Sequence, residues 1–291
     1  MSYYSLISLM PKAQPYNFLL DDYPGATVAY SLRKLRTAYS GNAIIVRRTD
    51  LTQQNIGFTS NVLDTTSLSS FVGTGALDNG FIATFYDQVA SFNLLQATAL
   101  NQTKVVTAGV IETINTKPAI NFTSNTGLGT AGSLTLNDTS EIWFFYVVDL
   151  TDVTTSGVVM ETSLDFNTNT GALNFGIASG VLSFNQKVSA SLYCRVTVPI
   201  TTGKKIISVR FRSGQTAANA WQIWVNGVSQ TTTVTNNNNS ITATNQRFFM
   251  SRAGNSITAL SKRTELVIYK TNQSTNRAGI ETNINSFYTI Y

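Results

Sequence analysis

Ile142-Trp143-Phe144-Phe145-Tyr146-Val147-Val148 is the longest apolar block in the chain, and its reading decides the fold. It is about a third of a membrane span, too short for a transmembrane helix. Every residue in it is aromatic or β-branched and no polar residue interrupts it, which is the pattern of a strand buried on both faces. A second stretch, from Lys205 to Arg212, alternates instead. Ile207, Val209 and Phe211 share one face, and Ser208, Arg210 and Arg212 the other. That period of two predicts a strand with one wet side.

Strand signals recur on either side of these two stretches. Strands are expected at 43–48, 80–86, 104–111, 119–122, 141–149, 157–161 and 171–177. Others are expected at 181–186, 193–198, 204–212, 221–225, 247–251 and 264–269. Turn residues such as Asp78-Asn79-Gly80 and Asn226-Gly227 punctuate them. Helix signals are few. Val28, Leu32, Leu35 and Tyr39 make one apolar stripe, with Arg33, Lys34 and Arg36 opposite and Gly41 as a stop, and predict a helix over 28–39. Asp64 as an N-cap, followed by Leu68, Phe71 and Gly73, predicts a second, and Ile280, Ile284 and Phe287 a last one. Many short strands, no internal repeat and no linker predict an all-β protein, a jelly-roll sandwich of two antiparallel sheets with a few short helices. It is expected to be one domain over 20–291, behind an irregular leader at 1–19 that contains Pro11 and Pro15.

Composition narrows the chemistry. The chain has 291 residues, 43% of them hydrophobic but only 12% charged, about half the usual fraction of roughly 25%. It has no histidine, which removes imidazole bases, His-paired nucleophiles and His-ligated metals. Its one cysteine allows no internal disulfide. The net charge of +5 is spread over small clusters such as Arg47-Arg48 and Lys204-Lys205, so no nucleic-acid partner is expected. The N-terminus lacks a basic n-region, and neither secretion nor membrane insertion is expected.

Four features bear on function. Gly127-Leu128-Gly129-Thr130-Ala131-Gly132 matches a dinucleotide fingerprint, but Leu134 and Leu136 alternate like a strand where a helix is needed, so a flexible loop and no cofactor are expected. Asp165, Asn167 and Asn169 have the alternate oxygen ligands of a calcium loop, yet position 12 is Gly176, which favours a plain Asn-rich turn. Asp87, at a strand end, is a candidate catalytic or sugar-binding acid, or a cap for the next turn. Trp221 and Trp224 have opposite parity, so one is expected in the core and one outside, where it suits a sugar ring or a subunit interface. Asn226 of the adjoining hairpin completes the carbohydrate-contact candidates.

Longer segments carry a resemblance. Leu20-Asp21-Asp22-Tyr23-Pro24-Gly25-Ala26 with Ala29-Tyr30-Ser31-Leu32-Arg33-Lys34-Leu35, and Phe85-Tyr86-Asp87-Gln88, resemble the N-terminal part of arabinofuranosidase B-type catalytic domains. Ile223-Trp224-Val225-Asn226-Gly227 and the ending Glu265-Leu266-Val267-Ile268-Tyr269 are similar to the closing strands of concanavalin A-like, laminin-G-like jelly rolls. Such domains also recur, without the enzyme's site, in bacteriophage virion proteins. The resemblance implies two catalytic acids in the second half of the sandwich, and there the chain departs from it. No Asp or Glu lies between Asp165 and Glu265, none lies in 251–255, and Cys194 stands alone where the family has adjacent cysteines.

The expectation is therefore a non-enzymatic virion protein, a tail fibre, spike or capsid decoration. It would sit on the surface of a phage particle and contact host-surface glycans. Other virion proteins would be its partners through the leader, and a homo-oligomer, a trimer by analogy, is expected. The alternatives are an arabinofuranosidase-type hydrolase and a purely structural capsid or collar protein without a ligand.

Overall fold

The computed structural model describes residues 17–251 and 258–291. Most of the expected leader, and four of the five residues at 251–255, lie outside them. The strands that build the sandwich are β1 (Ala26–Ser31), β2 (Glu141–Leu150), β3 (Gly157–Glu161), β4 (Leu173–Ala178), β5 (Val181–Lys187), β6 (Tyr193–Pro199), β7 (Gly203–Arg212), β8 (Trp221–Val225), β9 (Thr233–Asn237), β10 (Gln246–Phe249) and β11 (Ser261–Tyr269). The helices are short: α1 (Leu19–Asp22), α2 (Thr65–Val72), α3 (Ala217–Ala220) and α4 (Arg277–Tyr288). Among the described residues no helix is long and apolar enough to cross a membrane.

The apolar block lies in β2, antiparallel to β7 on one side and β11 on the other, with Phe144 opposite both Val209 and Ile268. β1 adds to β11 and β8 to β7, which makes a back sheet in the order β1-β11-β2-β7-β8. The front sheet runs β10-β3-β4-β5-β6-β9, again antiparallel. Ile142, Phe144, Tyr146 and Val148 of β2 point between the sheets and meet Phe175, Leu182, Phe184 and Val196 of the front sheet. Trp143, Phe145 and Val147 point the other way, under Leu19 and Leu20 of α1 and Ile280, Ile284 and Phe287 of α4. Both faces of the back sheet are thus covered, so every position of the block is apolar. Each such side chain contributes about 1.5–3 kcal/mol by leaving water.

The same two-sided burial overturns the helix expected at 28–39. Residues 26–31 are strand β1, with Val28 and Tyr30 in the sandwich core and Ala29 in the α1/α4 layer. Pairing with β11 satisfies its backbone, and an apolar run without alternation imitates a helical stripe. Arg33, expected in water, is buried, with Nε 2.7 Å from Glu265 Oε2 and Nη2 2.8 Å from Oε1. The wet side of β7 is likewise mostly covered: Ser208 is buried where α4 packs on β7, and the Arg210 guanidinium lies 6.0 Å from the Trp143 ring centre. The strand expected at 104–111 is a hairpin of Lys104–Thr107 and Val110–Ile111, because Ala108 and Gly109 turn at φ 51° and 77°.

Other readings hold. Asp64 caps α2 by accepting from Ser67 N at 3.0 Å. Glu141–Leu150, Gly157–Glu161 and Trp221–Val225 match within a residue. Gly129–Leu134, inside the glycine-rich match, is a strand paired to β10.

Candidate functional site

The outer face of the front sheet is built by strand parity. In β5, Leu182 and Phe184 point into the core, so Ser183 and Asn185 point out. In β4, Phe175 and Ile177 go in, and Asn174 and Gly176 out; in β6, Cys194 and Val196 go in, and Tyr193 and Arg195 out. Register then places Asn174, Asn185 and Arg195 side by side across three strands. They line a groove of about 210 Å³, with Gly157, Phe166 and Ser183 among its other walls.

Its polar groups form one network. Asn185 Nδ2 donates to Asn174 Oδ1 at 3.2 Å and to Ser183 Oγ at 3.1 Å, while Arg195 Nε donates to Asn185 Oδ1. Behind them Asn174 Nδ2 donates to the buried Glu161 at 3.2 Å, and that carboxylate also accepts from Phe166 N at 3.0 Å. The Phe166 and Tyr193 rings stack at 5.9 Å along the groove. Gly176 keeps the floor low, since a Cβ there would meet Ser183 Oγ at 3.1 Å. Below, the fully buried Arg263 ties the sheets together. Its Nη1 donates to the Val159 and Met250 carbonyls, both at 2.7 Å, and burial lowers its pKa.

No carboxylate lines this groove. All 15 acidic residues of the chain are among the described ones, so each can be followed. Glu265 is held by Arg33, Ser31 and Tyr288, and Glu112 by Lys262 at 2.8 Å. Glu281 pairs with Arg277, although its burial pushes its pKa up. A second hollow of about 290 Å³ does contain two acids, Asp50 and Asp78. Asp50 pairs with Arg48, whose hydrogen bond, with those from Thr52, holds its pKa well below the usual range. Asp78 Oδ2 accepts from Gly75 N at 2.8 Å.

The residues singled out in the sequence lie apart from the groove, with one exception. Asp87 is buried and organises a turn, accepting from the backbone N–H groups of Ala29, Val89, Ala90 and Phe92 at 2.8–3.1 Å. Trp221 and Trp224 do have opposite parity, but both are buried: Trp221 in the sandwich core, Trp224 against Trp143 at 5.5 Å beneath Arg277. The expectation of one exposed Trp fails because the α4 layer covers the outer side of the back sheet. Asn226 sits at φ 52° in its hairpin, and its side chain accepts from Ile206 N at 2.9 Å. The suggested calcium loop closes on itself, with Asp165 Oδ1 accepting from Asn167 N at 3.0 Å and Asn169 donating to the Asp165 carbonyl at 2.9 Å. Among the described residues no group of three His, Cys, Asp or Glu forms a metal site. The exception is Asn167, which reaches the groove wall. Sequence reasoning missed Asn174, Asn185, Tyr193 and Arg195, although alternation in β4, β5 and β6 marks them as outward polar positions.

No family model matches the chain, and no curated protein matches it in sequence. Solved structures do match. An arabinofuranosidase complexed with arabinofuranosyl-α-1,2-xylobiose superposes with a TM-score of 0.65 and 16% identity, over 93% of this chain and 64% of that one. The chain shares its fold with that structure. A GH54 α-L-arabinofuranosidase soaked with a cyclic sulfate inhibitor gives 0.64 and 14%, with the same coverage. The chain therefore spans 64% of the length of these enzymes, and at such identity the likeness is one of fold.

Proposed function

We propose that the groove over β4, β5 and β6 binds a carbohydrate and leaves its glycosidic bonds intact. The observation that carries this reading is the groove's lining: amides, a hydroxyl and a guanidinium beside two stacked rings, with no carboxylate. Amide and hydroxyl groups match the mixed donors and acceptors of a sugar, and a ring face suits its C–H surface. Hydrolysis by the usual route needs two carboxyl groups flanking the bond, about 5–5.5 Å apart for retention and about 6.5–9.5 Å for inversion. Glu161, behind the groove, is buried and accepts from Phe166 N and Asn174 Nδ2.

The test is to titrate the protein with arabinoxylan-derived and other plant or bacterial oligosaccharides, following amide shifts and the release of reducing ends. Binding without release, weakened at least tenfold by Asn185→Ala, is expected. Release of sugar that tracks the purified protein overturns the reading. Display on a phage particle, in an oligomer anchored through residues 1–19, is a finer proposal that rests on the sequence resemblance. Locating the chain in an imaged particle tests it.

A further inference from the structure

Resting on that carbohydrate reading, we infer that the sugar bound in the groove carries an anionic group, a carboxylate or a sulfate ester, received by Arg195 and favoured by the charge of Lys187 behind Tyr193. Lys187 ends β5 and pairs in register with Tyr193, which lines the groove. It is 2% exposed, and its ammonium donates 2.9 Å to Tyr193 Oη while lying 4.4 Å from that ring's centre. An ammonium carries three donors, and among the described residues no carboxylate stands within ion-pair distance of this one. Arg195 lies over the same ring at 5.3 Å and spends Nε on Asn185, leaving its two Nη groups without an acceptor among the described residues.

Buried charges in proteins are ordinarily paired, because desolvating an ion costs several kcal/mol that only an opposite charge and good hydrogen bonds offset. Lys187, buried and without a carboxylate ion pair among the described residues, departs from that rule, and the half-buried Arg195 adds a second cation over the same phenol ring. From Phe166 to Thr264 the chain has 10 basic residues and no acid, and Glu161, behind the groove, accepts from Phe166 N and Asn174 Nδ2. A ligand anion in the groove would restore the balance, and a bidentate contact from the free Nη groups suits either anion's geometry.

The experiment compares an oligogalacturonate with its methyl ester by calorimetry, with a sulfated galactan oligosaccharide as a third ligand. The acid should bind at least tenfold more tightly than the ester at low ionic strength, with the gap closing as salt rises. Arg195→Gln should abolish that gap. Lys187→Met should weaken the acid's binding while leaving the free protein's melting temperature unchanged or raised, the reverse of what a purely structural lysine would do. The sulfated ligand sorts the two sources: binding tighter than the galacturonate assigns the site to sulfate esters, and weaker binding assigns it to carboxylates. Equal binding of acid and ester, both lost in Asn185→Ala, overturns the anion inference and keeps the carbohydrate groove. Binding of none of the ligands overturns both.

Discussion

Replacing Glu265 by Gln strikes a buried carboxylate that accepts four hydrogen bonds. Its side chain is 0% exposed and that of its partner Arg33 4%. One oxygen accepts from Arg33 Nε and Ser31 Oγ, both at 2.7 Å, and from Tyr288 Oη at 3.2 Å, while the other accepts from Arg33 Nη2 at 2.8 Å. The variant keeps the shape but turns an amide donor toward donors, and it strands the Arg33 charge between β1 and α4. Breaking a buried pair from one side costs about 3–5 kcal/mol. At this chain length each kcal/mol moves the melting temperature by about 2 °C, so a drop of about 6–10 °C is expected. Calorimetry and urea unfolding read it directly. The pair-deleting variant Arg33→Met with Glu265→Leu should recover more than half of the loss, because apolar isosteres remove both desolvation penalties. A single variant within about 1 kcal/mol of the parent would refute the view that this pair locks β1 and β11 under α4.

Three other outcomes follow from the same geometry. Asp87→Asn keeps one acceptor oxygen where four N–H groups now bond, so stability should fall by about 2–4 kcal/mol while oligosaccharide affinity stays unchanged, as urea midpoints and a titration would measure. Burial pushes the Cys194 thiol up from the usual 9.0 to about 11, so the folded chain keeps its proton where the unfolded chain ionises. That share of stability is complete below pH 9 and lost as pH rises toward 11, and the decline should be shallower in Cys194→Ala when midpoints are compared across that window. Gly176→Val fills the groove floor beside Ser183 and should abolish glycan binding with little change in melting temperature, because Gly176 sits in ordinary strand conformation.

How much was legible depended on whether a residue's environment follows from its own strand. Ile142 to Val148 and Ile207 to Phe211 state their burial in their pattern, and both fell into the sandwich as read. Val28 and Leu32 did not, because whether a doubly buried run becomes helix or strand is decided by a partner more than 230 residues away, Leu266 opposite Tyr30. Trp224 and Ser208 were misjudged for a related reason: the helix that covers them comes 50 or more residues later. The groove was half written in the sequence. Ser183, Asn185 and Lys187 alternate with Leu182, Phe184 and Gln186, so their outward face was available. What periodicity does not contain is the register that sets Asn174, Asn185 and Arg195 abreast. Asp87, one of few acids in the chain, holds a backbone turn.

We propose that the outer face of β4, β5 and β6 holds a glycan without cleaving it. A crystal structure of the protein soaked with an oligosaccharide tests that most directly. An intact sugar chain lying against Asn174, Asn185, Tyr193 and Arg195 is the expected result. A sugar bound instead at the Asp50 and Asp78 hollow, or one found with its glycosidic bond broken, would contradict it.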